Sequence, residues 1–123
     1  MPTATITPVR VLIVDDHPSF RASARILLES EGYEVVGEAA DGASALAAAE
    51  RLHPDVVLLD IQLPDLDGFR VAERLSQMAS PPEVILTSSR DSVDYGSCVE
   101  ECGARGFVPK AELSGAVLTT LLA

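Results

Sequence analysis

No tryptophan occurs among the 123 residues, and aromatic residues make up only 4% of the chain. A core must therefore be built from Val, Leu, Ile and Ala, and a hydrophobic share of 47% is ample for an ordinary globular domain. Cysteine is almost as scarce, with Cys98 and Cys102 alone. Two thiols do not make a disulfide scaffold. Spaced four apart on a helix they share one face, where they are expected to act as small buried hydrophobes. His17 and His53 lie far from them, and no third ligand suggests a metal pair. Cations are outnumbered: 9 Lys and Arg against 19 Asp and Glu leave a formal charge of −10. A nucleic-acid footprint or an anionic bilayer would call for a basic face, so neither nucleic acid nor membrane is expected as a partner. Long apolar runs are absent too. Val56–Leu59 is far too short to span a bilayer, and the first eight residues carry no positive charge or apolar run that would mark a secretory signal. A cytoplasmic location is expected.

What is present is a regular alternation in a chain long enough for one domain. Residues 1–8 read as a short extension and 9–123 as the domain. Val9–Val14 is a β-branched run, followed by Pro18 at a tolerated helix-start position. Phe20, Ala24, Leu27 and Leu28 then recur at helical spacing until Gly32 stops them. Glu34–Ala39 reads as a more polar strand, placed at a sheet edge. Asp41 suits the N-cap of an Ala-rich helix through Leu52, ended by His53-Pro54. Val56–Leu59 is an apolar run of the kind buried on both faces of a sheet. A loop over 60–68 leads to a helix over 69–78, broken by Pro81-Pro82. Val84–Leu86 is the fourth strand, 92–102 a helix stopped by Gly103, 106–108 a short strand, and 113–122 an amphipathic helix. Strands alternating with helices predict an α/β domain, a doubly wound parallel sheet with helices on both faces.

In such a sheet, ligands bind beyond the carboxyl ends of the strands. Asp15 and Asp16 follow the first apolar run, Asp60 the third, Thr87 and Ser88 the fourth, and Lys110 follows the fifth past Pro109. Three carboxylates close together repel one another unless a cation lies among them. Oxygen-only ligands suit Mg2+, and hydroxyl and ammonium groups suit the oxygens of a phosphoryl group.

Residues 12–18 (Leu-Ile-Val-Asp-Asp-His-Pro), 56–68 (Val-Val-Leu-Leu-Asp-Ile-Gln-Leu-Pro-Asp-Leu-Asp-Gly), 85–89 (Ile-Leu-Thr-Ser-Ser) and 103–110 (Gly-Ala-Arg-Gly-Phe-Val-Pro-Lys) resemble the four signature segments of response-regulator receiver domains. The Asp-Asp-His-Pro variant is most similar to the branch whose longer members carry a helix-turn-helix. The resemblance implies a flavodoxin-like sheet of order 2-1-3-4-5. It implies that Asp60 accepts a phosphoryl group from a histidine kinase, a phosphotransfer protein or a small donor. Asp15, Asp16, Asp60 and the Gln62 backbone carbonyl would hold Mg2+, Asp15 largely through water. Thr87, Lys110 and the Ser88 N–H would bind phosphoryl oxygens. Thr87, Phe107 and Tyr95 would form the switch toward a downstream protein or a self-dimer, and Gln62 and Ser89 would tune hydrolysis. Such a domain is no conventional enzyme; it catalyses its own phosphorylation and dephosphorylation.

Other residues have plainer expectations: His17 as a capping or surface residue, His53 at a helix end, Asp65 and Asp67 as turn and cap residues before Gly68. Rival readings are a pseudo-receiver acting only through protein contacts, a haloacid-dehalogenase-type phosphatase, and the regulatory half of a transcription factor. The phosphatase needs a second Asp two residues past the nucleophile, where Gln62 stands. The other two are separated from the leading reading by phosphorylation and by chain length.

Overall fold

The computed structural model describes residues 8–89, 99 and 101–122. Five parallel strands form one sheet: β1 (Arg10–Val14), β2 (Glu34–Ala39), β3 (Val56–Asp60), β4 (Glu83–Ser88) and β5 (Gly106–Pro109), in the order β2-β1-β3-β4-β5. This is the expected topology, with the polar second strand at one edge. Helices α1 (Pro18–Ser30), α2 (Gly42–Leu52), α3 (Gly68–Ser76) and α4 (Gly115–Leu122) cover the sheet.

Strand periodicity divides the core in two. On one face Leu12, Val14, Val57, Leu59 and Leu86 pack against Ala45, Ala48 and Ala49 of α2 and Val71, Ala72 and Leu75 of α3. On the other, Val11, Ile13, Val56, Leu58 and Ile85 meet Ala24 and Leu28 of α1 and Leu118 of α4. The central strand β3 is buried at all five positions, as an apolar run covered on both faces must be. Cys102 is buried on the first of these faces, the role expected of it; Cys98 lies outside the described residues.

Several boundaries differ from the sequence reading, each for a local reason. Helix α3 starts at Gly68, because Asp67 accepts a hydrogen bond from the Arg70 N–H at 2.8 Å and so caps it. The last helix starts at Gly115 because Lys110–Glu112 first takes a 3-10 turn. Ser114 then accepts from the Val117 N–H. Thr87 and Ser88 belong to β4 itself, and Asp60 is the last residue of β3. Asp41 caps α2 as expected, accepting from the Ser44 N–H at 2.8 Å. The helix ends at His53 in the left-handed region, φ 49°. Most of the segment 92–102 lies outside the described residues, Tyr95 included.

Candidate functional site

The register brings the chemistry together. Val14 pairs with Leu59, so Asp15 emerges beside Asp60, while Asp60 pairs with Thr87 on its other side. Ser88 pairs with Pro109, and Lys110 follows immediately. Between β1 and β3 the chain's winding reverses direction, the place where open parallel sheets leave a crevice.

Asp15 is fully buried and Asp60 is 3% exposed, and a single ammonium serves both. Lys110 Nζ lies 2.6 Å from Asp15 Oδ2 and 3.3 Å from Asp60 Oδ2, and 4.7 Å above the centre of the Phe20 ring, within cation–π reach. Although so close, the Lys110–Asp15 pair is off hydrogen-bond alignment, and among the described residues Asp15 Oδ2 has no directed hydrogen bond. Burial pushes the Asp60 carboxyl above its ordinary value; the Gln62 N–H opposes this, Asp15's charge adds to it, and Lys110 offsets only part. For Lys110, burial pulls the ammonium down, but Asp15 and Asp60 more than reverse that, and it ends above the usual lysine value. Two buried carboxylates on one lysine leave a local excess of negative charge.

The loop after Asp60 is pinned at both ends. Ile61 donates its N–H to the Thr87 carbonyl at 2.9 Å, and Gly68 donates to the Ile61 carbonyl at 2.6 Å. Gln62 donates its N–H to Asp60 Oδ1 at 3.1 Å. Gly68 has no room for a side chain: a Cβ would stand 2.5 Å from the Asp60 carbonyl oxygen and 2.6 Å from Ile61 Cα. Thr87 is fully buried, and its Oγ1 has no hydrogen-bond partner among the described residues. Phe107 pairs with Leu86 in the sheet and is half-buried against the core.

His17 is the exposed residue at the start of α1 that the sequence leads one to expect. It caps the helix through its backbone carbonyl alone, accepting from the Phe20 and Arg21 N–H groups at 3.1 Å each. The ring Nδ1 instead lies 3.0 Å from Asp15 Oδ1 and 3.2 Å from Asp16 Oδ1. Arg21 went unforeseen. Its guanidinium donates to the Asp15 carbonyl at 2.5 Å and to Glu38 Oε1 at 3.0 Å, so it braces the acid pair from behind. The Arg21 contacts have no local sequence signal, because they join α1 to the segment after β1 and to β2.

The carboxylates of the cluster fit magnesium, a hard cation that takes oxygen ligands. Asp15, Asp16 and Asp60, with the His17 ring nitrogen beside them, each present a ligand atom, all within 4.8 Å of one another. A buried carboxylate oxygen without a directed hydrogen bond is what a hard divalent cation would satisfy. Sheet, loop and cluster together set three carboxylates and one ammonium at the carboxyl end of the sheet.

Comparison with known proteins agrees. A family model described as "Response regulator receiver domain" matches residues 11–122. BvgA of Bordetella pertussis is 43% identical over 104 residues, 84% of this chain and 49% of that protein. The signal receiver domain of NarL from Mycobacterium tuberculosis is similar with a TM-score of 0.85 at 37% identity, over 96% of this chain and 99% of that one. CheY solved with CheX, BeF3 and Mg2+ from Borrelia burgdorferi has a TM-score of 0.82 at 27% identity, over 94% of this chain and 87% of that one. The chain spans about half the length of the curated relatives it matches. Among the described residues no helix is long and apolar enough to cross a membrane. The chain belongs to the response-regulator receiver family, the phosphoacceptor domains of two-component signalling.

Proposed function

We propose that Asp60 is the phosphoacceptor of this receiver, taking its phosphoryl group from a histidine kinase or phosphotransfer protein in the cytoplasm. The observation that carries this is the burial of Asp60 at the end of the central strand, with a lysine it must share with Asp15. An Asp60 carboxylate oxygen attacks phosphorus; the new O–P bond forms as the donor's N–P bond breaks, and the bonding pair leaves with the imidazole nitrogen. Gln62 holds one carboxylate oxygen through its N–H, and Lys110 faces the other. Lys110, the Thr87 hydroxyl and the Ser88 N–H take up phosphoryl oxygens. Asp16, Asp60 and the Gln62 carbonyl would hold magnesium, with Asp15 acting largely through water, and the ion when bound neutralises charge on the phosphoryl oxygens. Positioning and charge compensation are most of what phosphoryl transfer requires.

Output follows from Thr87 moving toward the phosphoryl group and Phe107 turning into the space it leaves, with Tyr95 as the third switch position. The changed surface serves a downstream protein or a second copy. We take residues 9–123 as the receiver unit and 1–8 as an extension. A second reading, as the regulatory half of a transcription factor, is favoured by the relatives' double length and by BvgA's description as a transcription regulator. The test is intact mass after incubation with acetyl phosphate and Mg2+. The wild type is expected to gain one phosphoryl group and Asp60→Asn none. An unchanged wild-type mass would overturn the reading of Asp60 as phosphoacceptor.

A further inference from the structure

The acceptor loop is pinned at its ends by backbone bonds, and at its apex Leu63 and Leu66 pack against the core while the Asp65 side chain makes the polar tie to α2. Asp65 Oδ1 accepts from the Gly42 N–H at 2.7 Å and Oδ2 from the Ala43 N–H at 3.0 Å, while Oδ1 also accepts from the Leu66 N–H at 2.9 Å. Gly42 and Ala43 open α2, where N–H groups have no partner within the helix and the dipole favours an anion. Asp41, the local cap, is committed elsewhere: its Oδ1 takes the Ser44 N–H at 2.8 Å and the Ser44 hydroxyl at 2.6 Å. Two carboxylates thus divide the donors of one helix end, one local and one reaching across from the loop after β3. The Gly42 amide, then the Ala43 amide, hold the Asp65 carboxyl below the ordinary range despite its exposure. Apolar contact closes the same joint, since a Cβ on Gly42 would stand 2.9 Å from Leu66 Cδ1 and 3.0 Å from Val71 Cγ2.

We propose that Asp65 is a positioning residue of the phosphoryl-transfer site, clamping the apex of the acceptor loop to the first turn of α2 so that Gln62 stays against Asp60. This rests on the reading of Asp60 as phosphoacceptor. The loop's other polar restraints are the Ile61 N–H on the Thr87 carbonyl, the Gly68 N–H on the Ile61 carbonyl and the bridge between Gln62 and Asp67. All act at its base. With the clamp gone, residues 63–66 keep only the apolar packing of Leu63 and Leu66, which does not fix direction as a hydrogen bond does, and Gln62, one residue from the apex, loses part of its fixed approach to Asp60 Oδ1. Both groups assigned to Gln62 depend on that approach: the N–H on the acceptor and the carbonyl toward magnesium. The clamp also makes α2 the first element beyond the site to feel a change in the loop.

The experiment compares the whole chain as wild type, Asp65→Ala, Asp65→Asn and Asp41→Ala. Mg2+ affinity is read from the Gln62 amide cross-peak, and phosphorylation by acetyl phosphate from intact mass. Asp65→Ala is expected to weaken Mg2+ binding and slow phosphorylation by about tenfold, the lower end for outer partners of metal ligands. Asp65→Asn, which keeps one acceptor oxygen, is expected to recover part of both. Asp41→Ala damages the same helix end without touching the loop and is expected to leave both near wild type. Equal effects of Asp41→Ala and Asp65→Ala would make the residue merely structural and overturn the proposal. So would an Asp65→Ala variant with wild-type affinity and rate. A wild type that gains no phosphoryl group would instead overturn the Asp60 reading, and this proposal with it.

Discussion

Replacing Gly68 with alanine tests whether the acceptor loop is held by backbone contact. Gly68 ends the loop and opens α3, and the Cβ of an alanine would come 2.5 Å from the Asp60 carbonyl oxygen and 2.6 Å from Ile61 Cα. Both atoms are backbone at the end of β3, whose residues are buried throughout, so no side chain can rotate away to make room. Overpacking usually costs about 1–3 kcal/mol, and a clash with backbone belongs at about 3. Alanine returns less than about 1 kcal/mol through helix propensity, since the site is the first helical position. The net loss is about 2 kcal/mol, roughly 6–10 °C in Tm for a domain of this size. The natural control is Gly32→Ala. Gly32 has φ +93° but open space around it, so it should cost only about 1 kcal/mol through backbone strain and leave phosphorylation alone. With no tryptophan, unfolding in urea is best followed by far-UV circular dichroism, with phosphorylation measured in parallel. Gly68→Ala should lose more stability than Gly32→Ala and also slow phosphoryl uptake, because relief of the clash must move Asp60 or α3. A Gly68→Ala midpoint at or above that of Gly32→Ala would refute the reasoning, since the strand end would then yield without cost.

Charge at the site and at the far end of β1 gives two further expectations. Burial raises the Asp60 carboxyl above its ordinary 3.8, so its ionised form opposes folding above the folded-state pKa, and the penalty vanishes as pH falls below 3.8. In a chelator at neutral pH, Asp60→Asn should therefore be more stable than wild type by about 2 kcal/mol, a gain that shrinks on acidification and on adding Mg2+; urea unfolding reads both, and a less stable variant would contradict it. Arg25, opposed by partial burial and helped by Arg21, holds Glu38 below its ordinary 4.5, so its contribution is present above that value and lost as pH falls below it. Glu38→Gln should cost about 0.5–1 kcal/mol at pH 7 and nothing near pH 3, and a pH-independent loss would show that packing rather than charge is responsible.

The alternation of strands and helices and the strand-end positions of the polar residues were legible because they are set by patterns local in sequence, whereas the strand order came only from the family resemblance. Asp15, Asp60, Thr87 and Lys110 each sit at the end of an apolar run, and a parallel sheet brings such ends together whatever lies between them. What sequence could not show depends on partners far along the chain. Asp65 reads as a turn residue, yet two of its hydrogen bonds go to residues 23 and 22 positions earlier. Gly68 reads as a loop end, yet its requirement comes from the backbone of Asp60 and Ile61 folding back against it. Phe20 reads only as core, yet it lies under Lys110, 90 positions later; His17 is the exposed cap residue expected before Pro18, and only the turn of its ring toward the adjacent acid pair was not shown by spacing.

The contrast among the aspartates explains why one residue type serves both architecture and chemistry here. Asp41, Asp65, Asp67 and Asp55 each accept from backbone N–H groups, donors fixed in place by the fold, so their charge is settled once the chain folds. Asp15 and Asp60 also accept one backbone N–H each, from His17 and Gln62, but these two buried carboxylates share a single ammonium. One cation between two carboxylates leaves the site with an excess of negative charge. A phosphoryl group arriving on Asp60 adds negative charge to a pocket already in excess, and Lys110 cannot approach it more closely without leaving Asp15. On the reading of Asp60 as phosphoacceptor, the site would need a cation as it takes up phosphate, and the proposed Asp65 clamp would help fix where that cation sits.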